Sequence, residues 1–266
     1  MTTGYAFHSG RIPLLVSVPH DGRELPDDVA VQMTEVGRSL PDTDWHVARL
    51  YEFAKDFGAS MIIAKYSRYV VDLNRPADDT ALYEGQLATG LCPTQTFAGQ
   101  DLYTDTLRID TDDRVRRFWN PYHARISDTL SRFRESHGYA LLWDAHSIAS
   151  RVPALFDGEL PTLNIGTWDG RSCSQSISDA VTQVAQDSLY DAVLNARFKG
   201  GHITRHYGRP DTGVNAIQLE IAQRAYMNEQ TTCYDEARAS QLCDTLRCLF
   251  EAFTKTASDN AGIMPR

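Results

Sequence analysis

The stretch Tyr139-Ala140-Leu141-Leu142-Trp143-Asp144-Ala145-His146-Ser147 decides how this chain is read, because an apolar and aromatic run stops abruptly at Asp-Ala-His-Ser. A short apolar run bounded by polar residues suits a buried strand, and α/β sheets present ligand and catalytic groups at the carboxyl ends of their strands. His146 thus stands where an imidazole can hold a metal. Asp144, two residues earlier, lies on the same side of an extended chain and can orient that imidazole with its carboxylate. A buried histidine satisfied by its neighbours would give the same local pattern. The other strand ends must therefore be read with it.

Similar runs recur at Pro13–Val18, Ser60–Ala64, Tyr69–Leu73, Pro161–Ile165 and Ala216–Ile221, each bounded by turn residues or charge. Between them lie stretches with helical spacing: Trp45–Phe57, Arg108–Ser136, Ser176–Asp187 and Glu236–Thr256. Val47, Leu50, Tyr51 and Ala54 follow the i, i+3, i+4, i+7 pattern of a buried helix face, with Asp42 or Asp44 as candidate cap. The alternation predicts one α/β domain over residues 1–266, a three-layer sandwich whose mixed, largely parallel sheet is flanked by helices. The Gly-, Thr-, Asp- and Pro-rich segment from Pro76 to Tyr103 reads as a long functional loop or lid, and Ser258–Arg266 as a frayed tail.

With 266 residues, 42% of them hydrophobic, the chain can bury a sizeable core. Its formal net charge of −9 argues against nucleic-acid or anionic-membrane partners, since such a field repels phosphate. Five scattered cysteines without a C-x-x-C pair suit reduced thiols in a cytoplasmic protein. The first apolar run, Ile12–Val18, is too short to span a bilayer.

Three further strand-end motifs carry chemistry. Val16-Ser17-Val18-Pro19-His20-Asp21-Gly22 puts a second histidine just past the first strand, with Gly22 allowing a tight turn. A catalytic zinc site commonly takes three protein ligands, often two histidines and a carboxylate. Asp42-Thr43-Asp44-Trp45-His46 offers the third; Asp44 is preferred, with Asp42, Glu24 and His46 as alternatives. Ser67-Arg68-Tyr69-Val70-Val71-Asp72-Leu73-Asn74-Arg75-Pro76 ends in an Asn-Arg pair, and a guanidinium fork beside an amide suits recognition of a carboxylate. In Val214-Asn215-Ala216-Ile217-Gln218-Leu219-Glu220-Ile221, Gln218 and Glu220 share one face of a strand, and Glu220 can act as general base beside a metal. His123, His202 and His206 are weaker candidates for lining the pocket. No G-x-S-x-G elbow, H-E-x-x-H helix, phosphate loop or dinucleotide fingerprint is present.

In this order, Pro-His-Asp-Gly, Asp-Thr-Asp-Trp, Ser-Arg-Tyr-Val-Val-Asp-Leu-Asn-Arg-Pro, Asp-Ala-His-Ser and Gln-Leu-Glu resemble the N-formylglutamate amidohydrolase (deformylase) family over nearly the whole chain. The resemblance implies a fold related to the zinc carboxypeptidases and metal-dependent hydrolysis of N-formyl-L-glutamate, a small dicarboxylate, in histidine degradation. It implies a Zn²⁺, or another divalent transition metal, on His20, Asp44 and His146, with Glu220 as base. Asn74 and Arg75 would grip a substrate carboxylate, Gln218 would line the substrate site, and Arg68 would stabilise the oxyanion or bind the second carboxylate. The chain departs from the carboxypeptidase pattern at Arg23, where a glutamate ligand would stand, so the carboxylate ligand must come from elsewhere.

Overall fold

The computed structural model describes residues 3–81, 89–106 and 109–262. Among these, a seven-stranded sheet runs in the order β1-β3-β2-β4-β7-β5-β6. Its strands are β1 (Tyr5–His8), β2 (Leu14–Val18), β3 (Ser60–Ala64), β4 (Ala140–Ile148), β5 (Leu163–Gly166), β6 (Ala192–Leu194) and β7 (Val214–Ala222). The central strands β3, β2, β4 and β7 are parallel. Against them, β1 runs antiparallel to β3 and β5 antiparallel to β7, while β6 pairs parallel with β5. The sheet is therefore mixed, as its alternation with helices predicts, and helices cover both faces.

Strand periodicity sorts the side chains. Leu141, Trp143 and Ala145 of β4, with Ile217, Leu219 and Ile221 of β7, pack on one face against the helices Val47–Leu50, Phe53–Phe57, Gln175–Gln186 and Glu236–Asn260. Trp143 lies edge-on to Phe250, with ring centroids 5.1 Å apart, and donates through Nε1 to Tyr51 Oη at 3.0 Å. On the opposite face Leu15, Ala140, Leu142 and Ala216 pack against Tyr122, Ile126 and Leu130 of the helix Asn120–His137. By the same parity Asp144 and His146 extend the Ala140–Leu142 column, and Gln218 and Glu220 extend that of Ala216. Burying each large apolar side chain contributes about 1.5–3 kcal/mol. A one-residue slip would turn the charged column into the apolar layer, so the core fixes the register of the polar residues.

Several expectations need correction. Tyr69–Leu73 is not a strand: it turns, with Val70 N donating to Ser67 O at 2.9 Å, and packs Tyr69, Val70, Val71 and Leu73 into the second core face. That turn lets the buried Arg68 and Asp72 meet at 2.7 Å, a tertiary demand that overrides the β-branched composition. The helix expected over Trp45–Phe57 is two short ones, preceded by His46 at φ +64°. Its cap is neither Asp42 nor Asp44 but Asp21, whose carboxylate accepts from His46 N at 3.2 Å and Ala48 N at 2.9 Å. β4 is longer than its apolar core suggests and carries the whole Asp-Ala-His-Ser motif within the strand. The helical stretch expected from Arg108 begins outside the described residues; Thr111–His137 follows, widened into a π-turn at Val115–Trp119 just before Pro121, which has no N–H to donate. No helix among the described residues is long and apolar enough to cross a membrane.

Candidate active site

β4 and β7 pair along nine residues, and that register places His146 opposite Glu220 and Asp144 opposite Gln218. His20 enters just beyond the end of β2, the neighbour of β4 on the other side. Gly22 then brings the backbone so close to the Tyr66 carbonyl that a Cβ would lie 2.1 Å from it, which only glycine permits. Asp44 reaches the same point from the next loop, tied down by its own N–H to His20 O at 3.1 Å.

The ligand-capable atoms of His20, Asp44 and His146 lie within 4.8 Å of one another, all three residues being buried. Asp44 Oδ2 is 3.0 Å from His146 Nδ1 and 3.7 Å from His20 Nδ1. Two ligand atoms at bonding distance from one tetrahedral zinc are about 3.4 Å apart, so the spacing suits a shared cation. The remaining ring nitrogens are held from behind. His20 Nε2 is 2.7 Å from Asp72 Oδ1, and His146 Nε2 is 3.1 Å from Asp144 Oδ2. A carboxylate behind each imidazole fixes its ring and directs the Nδ1 lone pair forward. Donor set, spacing and support thus fit a divalent transition metal. Glu24 is exposed, Asp42 accepts from Tyr69 Oη at 2.6 Å and Phe97 N at 2.8 Å, and His46 Nε2 sits 2.8 Å from Thr232 O. None of these alternatives joins the cluster.

The local charges are strongly coupled. Burial, then Arg68, lowers the pKa of His20 and keeps it neutral. Burial opposes charge on His146 as well, but Asp144 and Asp44 outweigh it and raise its pKa well above the usual imidazole range. Against the cost of burial, His20, His146 and Arg68 hold Asp44 below the ordinary carboxylate range. At Glu220 burial, helped by Asp44 and Asp144, outweighs the opposing pull of His146 and Arg68 and pushes the carboxyl up to about 8. A buried carboxyl that titrates near neutrality is suited to taking and returning a proton.

These groups line a cavity of about 100 Å³ together with Arg68, Asn74, Arg75 and Gln218. A larger cavity of about 720 Å³ adjoins it across Thr89, Phe97, Ser147, Ile148 and Leu155. Segment 93–99 of the expected lid walls this outer chamber, whereas residues 82–88 lie outside the described residues. Arg68 bonds Asp72 at 2.7 Å and lies 3.6 Å from Asp44, so two buried carboxylates balance its charge. Arg75 donates to Thr89 O at 2.8 Å, Thr89 Oγ1 at 3.0 Å and Asn74 O at 3.0 Å, all neutral acceptors.

Asn74 and Gln218 line the cavity, but their side chains have partners within the protein. Asn74 Oδ1 accepts from Ile203 N at 2.8 Å, which turns its amide so that Nδ2 donates to Asp144 Oδ2 at 3.2 Å, beside His146 Nε2. Gln218 Oε1 accepts from Gly201 N at 2.6 Å, and its Nε2 donates to Glu220 Oε2 at 3.2 Å. Both amides thus fix neighbouring polar side chains of the cavity, Asp144 and Glu220. His123, His202 and His206 are not among the described residues lining the cavity. His123 stacks on Trp119 at 3.7 Å and contacts Leu73 O and Tyr207 Oη, bracing the segment that carries Asn74 and Arg75.

Sequence reading missed Arg197, which also lines the small cavity and donates through Nε to Leu155 O at 2.7 Å. The available signal was its place in Arg197-Phe198-Lys199-Gly200-Gly201, a cationic run ending in a glycine pair. It also assigned no role to Asp72, the carboxylate behind His20.

The chain resembles known proteins over most of its length. The family model described as N-formylglutamate amidohydrolase matches residues 12–227. An N-formylglutamate deformylase of Pseudomonas putida is 49% identical over 252 residues, covering 93% of this chain and 94% of that protein. A Pseudomonas aeruginosa protein of the same name is 51% identical over 231 residues, covering 85% and 86%. The fold is shared with a crystal structure of an N-formylglutamate amidohydrolase from Ralstonia eutropha, at a TM-score of 0.82 with 24% identity over 96% of this chain and 99% of that one. A protein from Agrobacterium tumefaciens superposes at a TM-score of 0.74, with 18% identity and 96% of each chain covered. A family match across most of the chain, and about half-identity to two relatives over most of its length, lead to one conclusion: the chain belongs to the N-formylglutamate amidohydrolase family.

Proposed function

We propose that this protein hydrolyses N-formyl-L-glutamate to formate and L-glutamate, as the names of its half-identical relatives suggest, and that it does so with a divalent metal, preferentially zinc, held by His20 Nδ1, Asp44 and His146 Nδ1. The observation that carries the reading is the register pair His146–Glu220, which sets a metal-ligand candidate beside a buried base within one cavity. Bound there, the metal would supply Lewis acidity, polarising the formyl carbonyl and acidifying water.

The chain's own residues supply the rest. Glu220 takes the proton of the attacking water and returns it to the departing amine nitrogen, while Gln218 holds one of its oxygens. As the C–N bond breaks, that proton leaves the amine neutral and the added oxygen stays with formate. Arg68 supports the negative charge that develops on the formyl oxygen. Arg75, bonded only to neutral acceptors among the described contacts, takes the α-carboxylate. Asn74 holds Asp144 in place, and Asp144 in turn holds His146. The five free cysteines suit a reducing compartment, consistent with a cytoplasmic role in histidine degradation.

The test is formate release from N-formyl-L-glutamate by metal-analysed protein, before and after chelation and with Zn²⁺ restored, beside N-acetyl-L-glutamate. Metal-dependent release with strong preference for the formyl compound is expected. Cleavage of the acetyl compound at equal or greater efficiency would overturn the substrate assignment, and unchanged activity after complete metal removal would overturn the metal.

A further inference from the structure

We propose that Arg197 recognises the side-chain carboxylate of the substrate and so selects glutamate over neutral amino acids; this rests on the N-formylglutamate reading above. A dicarboxylate needs two cationic contacts, and Arg68, Arg75 and Arg197 all line the inner cavity. Arg68 is held by Asp72 at 2.7 Å and faces Asp44 at 3.6 Å. From that position it can support a transient oxyanion, but breaking both pairs to seat a full substrate carboxylate would strip two buried carboxylates of their counter-charge, an expensive exchange. Arg75, next to Asn74, serves the first carboxylate. Arg197 is then the guanidinium for the second.

Its surroundings match the rest of the side chain. Leu155 and Phe198, with Phe97 and Ile148, line the same cavity and offer an apolar wall for the two methylenes that separate the α-carbon from the distal carboxylate. The Nε–H of Arg197 donates to Leu155 O at 2.7 Å, which restrains the plane of the guanidinium. Phe198 packs edge-on to Phe156, with centroids 6.1 Å apart.

The segment is also fastened to the catalytic strand. Four residues beyond Arg197, Gly201 N donates to Gln218 Oε1 at 2.6 Å, and Gln218 in turn donates to Glu220 at 3.2 Å. Gly201 lies so near Asn74 that a Cβ would stand 2.4 Å from Asn74 Nδ2. Arg197 thus projects from a loop locked to the base on one side and to the support of His146 on the other. A carboxylate bound at Arg197 is indexed to the reacting carbonyl through a few fixed contacts.

The experiment compares wild type, Arg197→Gln and Arg197→Lys, all metal-loaded, on N-formyl-L-glutamate and N-formyl-L-glutamine, a near-isostere that keeps the α-carboxylate but has a neutral side chain. Arg197→Gln is expected to lose about 100-fold in kcat/KM on the glutamate substrate, mainly through KM, because a charge-assisted contact is removed. On the glutamine substrate it should stay within a few-fold of wild type, and Arg197→Lys should recover part of the glutamate preference. Equal losses on both substrates, or no loss on either, would overturn the proposal. If wild type hydrolyses neither compound, the N-formylglutamate reading fails, and calorimetric binding of L-glutamate against L-glutamine decides Arg197 separately. Weakening confined to glutamate in Arg197→Gln supports it, and the absence of such selectivity refutes it.

Discussion

His146 and Arg197 line the same cavity and are held there in opposite ways. His146 sits inside a nine-residue strand, paired on both sides, with one ring nitrogen facing Asp44 and the other facing Asp144. Arg197 stands on an irregular segment after the edge strand β6, half-buried and tied through Leu155 O. The same division separates Glu220, on β7, from Arg68 and Arg75, which lie on the turn-rich stretch after β3. Metal ligation and proton transfer tolerate errors of only a few tenths of an ångström, and for His146 and Glu220 sheet register supplies that precision. Carboxylate recognition by long guanidinium side chains can be assembled from loops braced onto the sheet. Of the groups proposed for chemistry, His146 and Glu220 are strand-borne while His20 and Asp44 follow from adjoining loops, and the guanidinium groups proposed for recognition are all loop-borne.

The comparison can be broken most severely at the support of a strand-borne ligand. Asp144→Asn leaves the side-chain volume nearly unchanged and removes the charge behind His146 Nε2. Metal affinity is expected to fall by about 10- to 100-fold, measured by competition with a chelator of known affinity. An unchanged affinity would show that the register of β4 alone orients His146.

A smaller effect sharpens the same point through pH. In the metal-free protein His146 has its pKa raised by Asp144 and Asp44 against burial, and Glu220 is pushed up to about 8 by burial, so both hold protons at pH 7. His20 is lowered by burial and Asp44 by its cationic neighbours, so neither has a proton to give. A dication requires neutral His146 and favours ionised Glu220. Loading at pH 7 should therefore release about two protons, fewer as pH rises through 8, read by titration in weakly buffered solution. Proton uptake, or none exchanged, would contradict these charge states.

The same division explains what the sequence made legible. His20, Asp144, His146, Gln218 and Glu220 could be read because strand alternation and apolar flanks announce where polar residues face a site. The choice of Asp44 over Asp42 could not be derived from spacing, since both start the same helical region. The fold separates them by giving Asp42 to Tyr69 and Phe97, and the helix cap to Asp21. Tyr69–Leu73 misled because β-branched residues can also pack a turn into a core when an ion pair such as Arg68–Asp72 must close across it. Arg197 carries no periodic signal, and its position depends on contacts with Leu155 and, through Gly201, Gln218 and Asn74, that are distant in sequence.

The most direct test of whether the strand-borne Glu220 serves proton transfer and not binding is Glu220→Gln, measured at once for metal content, L-glutamate affinity and formate release at saturation. Full metal occupancy and glutamate affinity within a few-fold of wild type are expected, with the turnover rate falling by about 10²- to 10⁴-fold as the proton carrier is lost. Retention of the wild-type rate, or loss of glutamate binding in step with the rate, would contradict that role.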